Sequence, residues 1–306
     1  MRRHSIIARL GPTDTTRIGT HERNSALTEI RFIDGERRLG FGLGQMVDQL
    51  LERSLPPTDA ALDLALLAAT VTAADTRISR ALDSQDSWTR EIDLYVPVSN
   101  PDLWQGGTRL LVRMLNFLTG DRWRIFFRSR HRDYRRLIVP IVKDMVRSSN
   151  DSVCLFSGGL DSFIGAIDLL AGGRNPLFVS HYWDASTSSQ KICAEKLGNV
   201  YGDLTPRHVR ARIGFPDDIV QDSEPEKTTR GRSFLFFALA ALAASSLDAE
   251  TAVYVPENGL ISLNIPLVAA RARDSSRAAP PWRDSRAKSR HSRSAGGVSA
   301  AGADGK

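Results

Sequence analysis

The sequence predicts an α/β protein, a parallel sheet with helices on both faces, preceded by an α+β N-terminal segment. After residue 152, short apolar runs alternate with longer helical ones, the pattern of strands joined by crossover helices. A Ser-Gly-Gly-Leu-Asp-Ser loop, Ser157 to Ser162, interrupts the first of these strand-to-helix steps. Before residue 148 the pattern differs, because apolar alternation flanks an Asp-Gly pair at Asp34-Gly35. Three domains are therefore expected: an N-terminal unit at 1–147, a second at 148–267, and a tail at 268–306.

In the N-terminal unit, Ile30, Phe32, Leu39 and Phe41 alternate on both sides of the Asp-Gly turn, a hairpin signal. Gly40-Phe41-Gly42-Leu43-Gly44 lacks the third-glycine spacing of a dinucleotide fingerprint and reads as the hairpin's exit. Thr58, behind Pro56-Pro57, is placed to cap a helix carrying Leu62, Leu66, Ala69 and Ala73. Ile92, Leu94 and Val96 alternate as a half-buried strand. Ser99-Asn100-Pro101 then turns the chain into a helix with Leu110, Leu111, Met114 and Leu118, which Gly120 ends. Trp123, Ile125 and Phe127 alternate again, with Arg122, Arg124 and Arg128 on the other face. Seven arginines lie between Arg122 and Arg136. They form either a basic face for a phosphate or acidic partner, or a solvated strand face neutralised by nearby Asp and Glu. Ser148-Ser149-Asn150-Asp151 reads as the linker.

Beyond it, residues 153–156, 177–180, 209–213 and 252–255 read as strands, and 162–170, 186–197 and 232–247 as helices. Ligands of such sheets bind at the carboxyl ends of the strands, which is where the Ser157 loop falls.

Composition narrows the functional classes. The longest apolar run, 234–244, is about half the length that spans a bilayer, so neither a signal peptide nor a membrane span is expected. Two cysteines, Cys154 and Cys193, exclude a disulfide framework and a four-cysteine zinc site, and fit a reducing cytoplasm. The net charge of +6 invites a nucleic-acid reading. Yet residues 268–306 hold nine Lys and Arg against three Asp, which leaves 32 basic and 32 acidic side chains in residues 1–267. The body is neutral and gives nucleic-acid binding no support. The tail, rich in Ala, Arg, Ser and Gly, cannot bury enough apolar area to offset its ordering entropy. Its abrupt onset after Leu267 fits a shifted reading frame, with the end of the catalytic domain then missing; a native basic tail is the other reading.

The loop carries the chemistry. Between a strand ending at Phe156 and a helix starting near Ser162, successive backbone amides can converge on an anion. Gly158 and Gly159 reach positive φ and let phosphate oxygens approach the main chain, while Ser157 and Ser162 add hydroxyls and Ser162 can cap the helix. Asp161 beside a pyrophosphate makes sense as a Mg²⁺ ligand. The alternative is a Gly-Gly turn with a serine cap, common in βα units. No Gly-x-x-x-x-Gly-Lys-Ser/Thr run is present. Arg230 and Arg232, just before an apolar helix, are candidates to hold ATP phosphates or to solvate the helix start. Tyr182 is placed to stack on adenine or to cap the sheet edge. His181 reads as a strand-end polar residue rather than a base. Asn258 and Asn264 are placed either to read a purine-like edge or to bond within their loop.

Ser157, Gly158, Gly159, Leu160, Asp161 and Ser162 together resemble the signature of the PP-loop ATP pyrophosphatases. Within that group, residues 178–182 with Gln190, Ala194 and Arg232-Ser233 are most similar to 7-cyano-7-deazaguanine synthase (QueC). The long N-terminal unit and the stretch 257–267 resemble the QueC-like proteins of bacterial anti-phage operons such as the Qat system. The resemblance covers residues 60–267 and implies an adenine nucleotide alpha-hydrolase (HUP-like) fold. It implies that ATP adenylates the carboxylate of a 7-deazaguanine or related acid, that Asp161, Ser157 and Arg232 act in that step, and that an amine then displaces AMP. ATP and Mg²⁺ are the implied cofactors, and other defence-operon proteins the implied partners. The cysteine zinc site of the housekeeping enzyme has no counterpart here. Another amide-forming or tRNA-modifying PP-loop enzyme, or a truncated subunit that only binds nucleotide, are the competing expectations.

Overall fold

The computed structural model describes residues 2–35, 38–84, 87–138, 148–183, 188–226, 230–248 and 250–257. Asn258, Asn264 and the tail lie outside the described residues. Met1–Pro256 forms one compact unit, built on two four-stranded parallel sheets flanked by helices.

The first sheet contains β1 (Arg3–Arg9), β2 (Ala26–Arg31), β3 (Glu91–Val98) and β4 (Arg122–Ser129), in the order β2-β1-β3-β4. All three pairings are parallel, which corrects the expected α+β hairpin. What remains of the hairpin is one antiparallel bridge, Ile33 to Leu39. The chain then leaves the sheet, because Gly42, at φ 88°, starts α1 (Leu43–Glu52). Leu43, Met46, Val47 and Leu50 are buried on one face of that helix, a 3–4 spacing that the Asp-Gly turn had overshadowed. A side chain at Gly42 would also strike the Arg212 carbonyl, at 1.8 Å.

α2 (Asp59–Arg77), capped by Thr58 accepting from Ala61 N at 3.3 Å, covers one face of this sheet. It is buried over most of its length, and its internal threonines are satisfied locally. Thr70, Thr72 and Thr76 donate to the carbonyls of Leu66, Ala68 and Thr72. A one-turn helix, α3 (Arg80–Asp83), follows. α4 (Pro101–Thr119) is capped by Asn100 and closed by Gly120 at φ 76°, as expected, and packs on β4 through Leu115, Thr119 and Trp123. The other face of the sheet is polar. Arg122 pairs with Glu91, Arg124 with Asp93 and Arg128 with Asp14, so these strand arginines are neutralised by neighbouring acids. Arg130 turns inward, onto Asp59 and Asp63.

The second sheet contains β5 (Ser152–Leu155), β6 (Pro176–His181), β7 (His208–Ala211) and β8 (Ala252–Tyr254), again all parallel, in the order β7-β6-β5-β8. Val153, Leu177, Val179 and Val209 point to one face, Cys154, Phe156 and Phe178 to the other. Both faces are covered, which is why these strands read as unbroken apolar runs. α5 (Leu160–Ala171) and α6 (Ser188–Tyr201) cover the second face, and α7 (Arg232–Ala244) the first. α7 packs on α2, alanine-rich helix against alanine-rich helix, and one apolar cluster runs through both sheets. The outer edge of β7 is sealed by α1. The Gln49 carboxamide donates to Arg210 O (2.8 Å) and accepts from Arg210 N (3.0 Å), and Arg53 donates to Pro206 O and Thr205 O. Among the described residues, no helix is long and apolar enough to cross a membrane.

Where α2 ends, a fully buried guanidinium ties these parts together. Arg90 bonds Asp75 (2.8 Å) and Asp121 (2.6 Å) and donates to Ile78 O, while Arg80 reaches Asp121 at 2.8 Å. Burial pulls the Arg90 pKa down, but the bonds to Asp121 and Asp75 outweigh it and leave it raised. Arg90→Ala, which takes from Asp75 and Asp121 their closest cationic partner, should lower the unfolding free energy by roughly 3 to 5 kcal/mol in urea titrations. The exposed Arg122→Ala should change it by less than about 1 kcal/mol.

Candidate functional site

The strand order of the second sheet reverses at β5, since β6 and β7 lie to one side of β5 and β8 to the other. The crevice at such a reversal, outside the carboxyl ends, is where open α/β sheets hold ligands. Residues 157–162 occupy that point, leaving β5 through Phe156 and entering α5 at Leu160.

Local chemistry shapes the loop. Gly158 sits at φ 79°, and a β-carbon there would lie 2.7 Å from Gln190 N, so both conformation and packing require glycine. Ser157 Oγ donates to Ser162 Oγ (3.1 Å), which donates to Gly159 O (2.9 Å). In return, Gly158 N donates to Ser162 Oγ and Gly159 N to Ser157 Oγ. The expected roles of the serines are thereby corrected. Their hydroxyls and the two glycine amides are used inside the loop, Ser162 is buried, and Gly159 holds the N-cap position with no side-chain cap. The donors left for an anion are the first-turn amides of α5, at Leu160 and Asp161, reinforced by the helix dipole. Leu160 is 72% exposed and Asp161 half-buried, so this turn faces outward.

The remaining predicted residues separate into two groups. Arg232 opens α7 with its guanidinium 4.8 Å from the Phe236 ring, which also touches His181 at the end of β6. Arg232 therefore belongs to the carboxyl end of the sheet. Tyr182 follows His181, and one face of its ring is covered by Arg210 at 4.7 Å. That face is closed to adenine. Arg230 goes elsewhere: it lies 4.1 Å from the Trp88 ring and donates to Thr119 O at the end of α4. The structure brings it to the first sheet's corner rather than to the loop.

Behind the loop stands α6. Gln190, 1% exposed, donates to Ser157 O (3.4 Å) and His181 O (2.9 Å) and accepts from Arg210 (3.1 and 3.3 Å). Cys193 Sγ contacts Gly158 O at 3.7 Å. Beneath the loop, Ser180 Oγ donates to Phe156 O and lies 2.7 Å from His208 Nε2. Protein-family models, curated proteins and solved structures give no match to this chain. The sequence reading placed Gln190 on a family pattern but gave it no role in the site, and it missed Arg210 and Cys193. A lone glutamine in a polar helix carries no local signal of burial.

Among the described residues, no three His, Cys, Asp or Glu side chains gather as a metal cluster. Asp161 is the loop's own carboxylate, and a single carboxylate fits a Mg²⁺ ion that takes its other ligands from phosphates and water.

Two histidines flank the site. Burial drives His181 from 6.5 down to about 4, against the Ile213 carbonyl and with help from the Arg232 charge. Burial, then Arg210 and Arg53, bring His208 to about 4 as well. Both are neutral when folded at neutral pH, and the unfolded chain binds more protons between about pH 4 and 6.5. Stability should therefore be complete above pH 6.5 and fall toward pH 4, by on the order of 3 kcal/mol per histidine. Urea midpoints across this range check it, and His181→Phe should flatten the slope. Gly158→Ala should lower the unfolding free energy by roughly 1 to 3 kcal/mol in urea titrations, from the strain of a positive φ and the clash with Gln190.

Proposed function

We propose that this chain is a PP-loop ATP pyrophosphatase that activates a carboxylate by adenylation. The observation that carries the reading is the glycine-dependent turn at the sheet's reversal point, with the first-turn amides of α5 facing outward. The substrate carboxylate attacks the α-phosphorus of ATP; the bond to the bridging oxygen breaks, and pyrophosphate leaves with its electron pair. The acyl adenylate then reacts with an amine, forming an amide and releasing AMP and a proton.

In this scheme the departing pyrophosphate is the anion held by the Leu160 and Asp161 amides at the helix N-terminus. Developing charge there is stabilised without reorganisation, because the Ser157, Ser162 and Gln190 bonds already fix the turn. Arg232 is the cation of the carboxyl end and suits the α-phosphate. Asp161 would hold Mg²⁺, which when bound neutralises the phosphate charge. The buried, neutral His181 is unsuited to serve as an acid at neutral pH and belongs to the wall of the site.

The resemblance of residues 178–182, Gln190, Ala194 and Arg232-Ser233 to the deazaguanine synthases supports a 7-deazaguanine carboxylate as the acid and a role in anti-phage defence. With ATP, such an acid and ammonia as the amine, AMP and pyrophosphate should accumulate in equal amounts, followed by phosphorus NMR. Asp161→Ala should slow the reaction roughly 100-fold or more. Appearance of ADP as the product would remove this class of reaction.

A further inference from the structure

A groove of about 540 Å³ runs between α6 and β7 on the outer side of the second sheet. That volume is typical of a small-molecule site. Small residues of α6 line part of it. Ala194 and Gly198 lie one turn apart on α6, and a β-carbon built on Gly198 would meet nothing nearer than Asp203 Cα at 3.9 Å. The rim is charged, and its charges are sorted by sign. Lys191 and Arg210 stand toward the Ser157 loop, Glu195 lies one helical turn farther along, and Asp203 follows the end of α6.

Two features point to a ligand with two charges. Lys191 and Glu195 are four residues apart on one helix, yet they form no ion pair with each other among the described residues. Lysine precedes glutamate, the less favourable order for such a pair, so each charge is left for another partner. Arg210, in turn, is held over the Tyr182 ring and fixed by Gln190, with guanidinium donors to spare for a carboxylate. Four residues of helix rise about 6 Å. Two extended residues of peptide span roughly the same distance.

We propose that this groove binds a linear zwitterion with its charges about 6 Å apart, the class of dipeptides and ω-amino acids. The carboxylate lies on Arg210 and Lys191, and the ammonium on Glu195. The site needs no nucleotide and does not depend on the adenylation reading. It does touch the loop, because the Gln190 carboxamide that accepts from Arg210 also donates to Ser157 O.

Calorimetric titration of the full chain without nucleotide tests this, with glycylglycine and δ-aminovaleric acid as the two zwitterions. N-acetylglycine and glycinamide, each lacking one charge, are the controls. At least one zwitterion should bind in the millimolar range, and both controls roughly 3- to 10-fold more weakly. Which zwitterion binds tighter separates a peptide from an aliphatic ligand. Lys191 and Glu195 are exposed, so the Lys191→Ala, Glu195→Gln double variant should fold normally and lose the discrimination. Gly198→Leu should obstruct the groove and abolish binding. The proposal is overturned if neither zwitterion releases heat, if the controls bind equally well, or if the double variant keeps the wild-type affinity.

Discussion

The Arg90 guanidinium, sealed between Asp75 and Asp121, is the constraint on which the rest of the molecule hangs. A charge removed from water is tolerated only when opposed charges and carbonyls surround it, and here they come from α2, from the Ile78 carbonyl that follows it, and from the turn between α4 and β4. Asp75 has a second duty: its other oxygen accepts from Gly231 N at 2.7 Å. One carboxylate thereby fixes the start of α7, and with it the place of Arg232. The packing of α2 on α7 and the position of a site cation are two results of the same ion-pair network.

The second sheet was legible because its strands are apolar on both faces and its connections are helices, so composition and period agree with the fold from residue 152 onward. In the first sheet β2, β3 and β4 were legible, but β1 (Arg3–Arg9) and the pairing were not. Asp34-Gly35 carries a turn signal that is locally valid, and it does produce the Ile33–Leu39 bridge. Gly42 then overrides it, because the close approach of Arg212 and the buried face of α1 reward a helix there. Strand direction is set by such long-range packing, which short-range alternation does not encode.

Much the same division holds at the candidate site. The glycine requirement at Gly158 could be read directly, since a tight turn between strand and helix calls for it. The use of the serine hydroxyls could not, because Ser157 and Ser162 look equally suited to facing a phosphate and to bonding each other. Gln190 meets Ser157 only through the fold, 33 residues away in the chain, and Arg210 joins them through Gln190. Arg230 and Arg232 are near-identical in sequence setting, yet one stacks on Trp88 and the other on Phe236. Alternate positions at a helix entry point to opposite sides, and no composition rule separates them.

The seal on β7 bears on the behaviour of the molecule in concentrated solution. An open strand border is a template onto which another polypeptide can add, the first event in fibril growth. The Gln49 amide already occupies the pairing positions of Arg210, and the Arg53 guanidinium covers the carbonyls before it. A foreign strand must therefore displace two side chains before it forms its first ladder bond, and that border of the protein is guarded against amyloid-type assembly.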